Sequence, residues 1–131
     1  MGLEYRPTWR DYRTVKVTEP ESREVIEFEV RSATFTERIA LDAAEGQRAV
    51  PITLEVLRSN VRAWHGVKIR QSDSGQLVDW SFSHDNLIQL LGQFPDFGMD
   101  LLRAILGSNE AAERAAGNLT SSEPTPNDGP S

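Results

Sequence analysis

The hydrophobic and polar positions of this chain change period several times, and each change marks a new element. Along "YRTVKV" (12–17) β-branched residues alternate with polar ones, as in a strand with one buried face. "EPES" (19–22) interrupts the pattern, because Pro20 has no amide hydrogen to give to a ladder. "REVIEFEV" (23–30) alternates again, with Ile26, Phe28 and Val30 on one face and Glu27, Glu29 and Arg31 on the other. The two runs predict an antiparallel hairpin with one wet face.

From Thr34 the period lengthens. "TFTERIALDAAEG" (34–46) carries the capping-box spacing of Thr34 and Glu37, lines Phe35, Ile39 and Ala43 along one face, and offers Gly46 as a stop. In "VPITLEVLRSNVRAW" (50–64), Pro51 suits a first helical turn, and Leu54, Leu57, Val61 and Trp64 recur at spacings of three and four. A helix is therefore expected up to Trp64, ended by Gly66. "VKIRQSDSGQLVDWSF" (67–82) reads as two short strands about a turn built on Asp73 and Gly75. Ser83 or Asp85 can cap "NLIQLLGQF" (86–94), whose Leu87, Ile88 and Leu91 point one way.

After Pro95 a last helix is expected over 96–116, with Phe97, Leu101, Leu102 and Ile105 as its apolar stripe and Gly117 or Asn118 at its end. "LTSSEPTPNDGPS" (119–131) has almost nothing to bury and reads as a disordered tail. The expected fold is α+β: an N-terminal antiparallel β-hairpin, then a small helical bundle interrupted by a second short hairpin. Residues 1–11 form a flexible N-terminal segment, 12–117 the single domain and 118–131 the tail.

Composition narrows the possibilities. A chain of 131 residues fits one domain with its own core. It has no cysteine, which excludes disulfides and cysteine-based zinc sites and suits a reducing cytoplasm. The formal net charge of −6 argues against a general nucleic-acid binder, and the locally basic Arg6, Arg10, Arg13 and Lys16 read as a solvated face. The first residues hold no apolar signal core, and no run approaches the length of a membrane span, so neither secretion nor membrane insertion is expected. "MGLEYR" has arginine where a myristoylation signal wants serine or threonine.

Candidate chemistry is thin. His65 and His84 lack a second histidine one helical turn away or a cysteine to complete a metal set. His65, just before Gly66, reads as a donor at a helix C-terminus. Ser83, His65 and Asp85 have the letters of a hydrolytic triad without the strained nucleophile turn it needs. Glu27 and Glu29 read as solvent-facing, and no glycine-rich phosphate loop occurs. No catalytic, metal-binding or cofactor-binding residue is assigned, and the chain reads as non-enzymatic.

Aromatic and apolar positions point instead to a partner. Trp64 and Trp80 fit core positions, whereas Trp9 and Tyr12 lie outside any strong pattern and suit anchoring to another protein. "FGMDLLRAILG" is apolar over a wide face, which either lies deep in the core or docks against another chain, and the length of the chain leaves little else to cover it. The expected contact residues are Phe97, Leu101, Leu102 and Ile105, with Trp9 and Tyr12 secondary.

The segments "AWHGV", "DSGQLVDWSFS", "HDNLIQLLGQFPDFGMDLLRAIL" and "AAERAAGN" together resemble the tail assembly chaperones of long-tailed bacteriophages. The likeness covers roughly residues 24–118, and the spacing "DNL…LL…P.F….L..AI" is its most specific part. It implies a non-enzymatic, cofactor-free protein of the host cell cytoplasm that binds the tape-measure protein until tail-tube subunits polymerise around it. Such a protein is absent from the finished virion, can associate with itself or with tail-tube protein, and needs neither nucleic acid nor membrane. The resemblance does not require a histidine at position 65. The rival readings are a small structural neck or tail-completion protein of the virion and a small regulatory or nucleic-acid-binding domain that uses the basic N-terminal segment.

Overall fold

A computed structural model describes residues 2–107. The hairpin forms as expected from β1 (Arg13–Thr18) and β2 (Val25–Val30), paired antiparallel with Val15 opposite Phe28 and Val17 opposite Ile26. Val17, Ile26, Phe28 and Val30 are buried, while Lys16 is exposed and Glu27 and Glu29 are half-covered. In the connecting turn Arg23 takes a left-handed conformation with φ of 63°, which costs any residue with a Cβ.

α1 (Phe35–Ala43) starts where the sequence places it. The Thr34 hydroxyl accepts from the Glu37 amide at 3.1 Å, and a Glu37 carboxylate oxygen accepts from the Thr34 amide at 2.8 Å. It stops at Ala44, before Gly46, which instead opens a short 3₁₀ turn leading into α2 (Ala49–Asn60).

The largest departure from the expected fold follows. The helix expected to reach Trp64 ends at Asn60, and β3 (Val61–His65) joins the sheet in the order β1-β2-β3. Glu27 faces His65 and Phe28 faces Trp64, but a bulge sets Val61 opposite Val30 with one residue extra on β3. That bulge turns both Val61 and Trp64 inward, three residues apart in a strand. A spacing of three or four thus continues from helix into strand, and periodicity alone cannot see the change.

The change of direction is made by Asn60, whose side chain is completely buried. Its Nδ2 donates to the Val56 carbonyl at 2.8 Å and to the Glu37 carboxylate at 3.1 Å, while its Oδ1 accepts from Arg10 Nη2 at 3.0 Å. Arg10 Nε also donates to the Ser32 carbonyl, so the segment before β1 is tied down at this point. The Asn60 carbonyl accepts from the Arg31 amide at 2.9 Å.

Beyond β3, Gly66 has φ of 97°, and a Cβ there would lie 3.1 Å from the Val25 carbonyl. The second hairpin pairs β4 (Lys68–Arg70) with β5 (Leu77–Asp79), as expected in kind though shorter. Trp64 Nε1 donates to the Trp80 carbonyl at 2.7 Å, and the two indoles lie 5.4 Å apart. The link ties the small hairpin to the main sheet.

α3 (His84–Gln93) is capped by Ser83, whose hydroxyl accepts from the Asn86 amide, and it buries Leu87, Leu90 and Leu91. α4 (Pro95–Leu106) begins on Pro95 and ends at Gly107 in the left-handed conformation. It lies against the inner face of the sheet, with the Phe97 ring 6.4 Å from that of Phe28. The expected continuation to 116 and the tail 118–131 lie outside the described residues.

Two substitutions with opposite signs check this account. Asn60→Ala leaves Glu37 and Arg10 short of partners and is expected to destabilise the fold by roughly 2–3 kcal/mol. Arg23→Gly removes the left-handed strain and is expected to stabilise it by about 0.5–1 kcal/mol. Urea denaturation of each variant reads both values.

Candidate partner-binding surface

The four α4 residues expected to meet a partner do not reach the surface. Phe97, Leu101, Leu102 and Ile105 are all buried, together with Gly98 and Leu106. Their stripe is used up inside the domain, where α4 packs against the β1–β2 hairpin and against α2 and α3.

Of the secondary pair, Trp9 is 47% exposed and within reach of solvent. The Arg10 guanidinium lies 5.9 Å from its ring centre, and Arg10 is the residue anchored to Ser32 and Asn60. Trp9 therefore stands on a fixed point of the backbone. Tyr12 is half-buried, with the guanidinium of Arg62 3.9 Å from its ring centre and that of Arg31 at 5.0 Å. Its ring is occupied within the fold, which leaves Trp9 the freer of the two.

The surface missed by sequence reasoning is on α1. Phe35 is 76% exposed, Ile39 is 51% exposed and Ala43 is exposed, so the apolar line i, i+4, i+8 faces solvent. Leu41 is the residue α1 buries. The helix is nevertheless held firmly, because Glu37 both closes the capping box and receives Asn60 Nδ2. The signal was present in the sequence as a stripe on one face; its direction was not.

The polar candidates have structural partners. His65 lies in β3 rather than at a helix end, and its Nε2 is 3.0 Å from Glu29 Oε2. The other Glu29 oxygen accepts from Arg62 Nε at 2.9 Å. These contacts, the His65 bond foremost, hold the Glu29 carboxyl below the ordinary glutamate range. His84 Nε2 is 3.0 Å from the Val61 carbonyl, and the Ser83 hydroxyl is engaged as the α3 cap. Ser83, His65 and Asp85 are thus not drawn into a relay. Among the described residues no group of three or more metal-ligating side chains is gathered, and no helix is long and apolar enough to cross a membrane.

No family model, curated protein or solved structure matches this chain.

The Glu29 contacts have a defined pH signature. A carboxyl whose folded pKa is depressed contributes stability above its unfolded pKa and loses it as pH falls through the folded value. Glu29→Gln should therefore lower the melting temperature at pH 7, and the difference from the parent should vanish in acid, below the glutamate range. An equal difference at both pH values, measured by calorimetry, would contradict the assignment.

Proposed function

We propose that this protein is an assembly chaperone of a long-tailed bacteriophage. It holds the tape-measure protein in solution in the host cytoplasm until tail-tube subunits close around it, and then leaves. Two things support the reading: the resemblance carried by "AWHGV" through "LLRAIL", and the outward apolar face of α1. The second carries the mechanism.

A long helical protein exposes apolar stripes, and a chaperone for it needs complementary apolar surface that does not collapse into its own core. Phe35 and Ile39 meet that need. Covering both contributes roughly 2–4 kcal/mol, counting partial burial at the usual area coefficient. Alone this is weak, as suits a coat of many copies that the tube protein must displace. Trp9 adds an aromatic anchor.

The test is co-expression with the tape-measure protein, followed by pull-down and a solubility assay. The parent chain is expected to keep the partner soluble and to copurify with it. Phe35→Asp with Ile39→Asp should abolish both effects while leaving the circular dichroism spectrum unchanged, since neither side chain is in the core. Leu101→Asp should instead unfold the domain. If the protein is found in purified particles and ignores the tape-measure protein, it is a structural neck or tail-completion subunit.

A further inference from the structure

A second surface lies at the other end of the hairpin. The β1–β2 turn and the α3–α4 junction face each other across an open cleft with two compartments, of about 310 and 230 Å³, which share Glu19, Phe94 and Phe97. α1 follows the opposite end of β2, and a six-residue strand spans about 20 Å, so this cleft is separate from the Phe35–Ile39 face.

The cleft has an apolar floor and an acidic rim. Ile26, Val67, Leu90 and Phe97 come up from the core, and Phe94 is stacked on Phe97 with ring centres 5.1 Å apart. Around them stand Glu19, Glu21, Glu24 and Asp96. Among the described residues, the one cation lining the cleft is Lys68, and its ammonium group is 2.7 Å from Asp79. Glu19 is locked in place: one carboxylate oxygen accepts from the Ser22 amide at 2.7 Å and the Glu21 amide at 3.0 Å. These amides, that of Ser22 first, keep it ionised below the usual glutamate range. Glu21 and Glu24 are exposed and face the approach.

We infer that this cleft receives a basic amphipathic peptide segment of a partner protein, seating a large apolar side chain between Phe94 and Ile26 with flanking lysine or arginine on the Glu19, Glu21, Glu24 and Asp96 rim. Charge complementarity selects the occupant. An apolar floor alone would take any apolar side chain, but four carboxylates repel an acidic segment and draw a basic one. The cleft is open along its length, which suits a side chain carried on a chain passing over it rather than an enclosed small molecule. The partner is defined by this chemistry alone, whether or not it is a tape-measure protein.

The experiment uses the full chain and two labelled helical peptides with the same apolar positions, one flanked by lysines and the other by glutamates. Fluorescence anisotropy is expected to show binding of the lysine peptide, weakened at high salt, and none of the glutamate peptide. Glu21→Lys with Glu24→Lys should weaken binding at least about ten-fold. Leu77→Ser, on the exposed lip of the cleft, should weaken it less, and Phe35→Asp should not change it. Equal binding of both peptides, or an unchanged affinity in the Glu21→Lys, Glu24→Lys variant, overturns the proposal. So does concentration-dependent self-association that this variant abolishes, because the occupant would then be a second copy. Loss of tape-measure binding in Phe35→Asp with peptide binding intact separates this site from the chaperone reading.

Discussion

A carboxamide removed from water must find partners for its donors and its acceptor, or the fold loses more than it gains by burying it. Asn60 is such a group, and its partners come from four places: the helix it ends, the cap of α1, the segment before β1 and, through its backbone, the end of β2. Satisfying one side chain therefore fixes where α2 stops, where β3 starts, how α1 leaves the sheet and where Arg10 sits. The outward pose of Phe35 and Ile39 depends on it as well, since Glu37 is shared between the Asn60 amide and the α1 cap.

Elements announced by local chemistry were legible in the sequence. The Thr34–Glu37 box, the Ser83 cap and the alternation of β1 and β2 all appear where their residues indicate. β3 was not legible, because the bulge near Glu29 and Val30 lets Val61 and Trp64 keep a helical spacing within a strand. The α4 stripe is a separate matter. A wide apolar face suits a deep core position as well as a docking surface, and here the β1–β2 hairpin with α2 and α3 is enough to bury Phe97, Leu101, Leu102 and Ile105.

The α1 stripe left its direction open. A stripe of Phe35, Ile39 and Ala43 has the same periodicity whether it faces in or out, and periodicity is silent on direction. What decides is capacity: α4 and α2 already cover the inner face of the sheet and β3, and α1 is left with Leu41 as its buried contribution. The acidic cleft could not have been read from sequence either. Glu19 and Glu24 meet Phe94 and Asp96 only because a turn and a helix junction, some seventy residues apart, are brought face to face.

The far end of α4 has a consequence for how the molecule is made. Its terminal carbonyls are received by the beginning of the chain: Arg13 donates to the Ala104 carbonyl, and the Ala33 amide donates to that of Ile105 at 2.9 Å. The first strand and the last described helix thus complete each other across 91 residues of sequence. A ribosome releases residues in order, so the hairpin must wait, its apolar face uncovered, until α4 has emerged. Synthesis and closure of the core are thus separated in time.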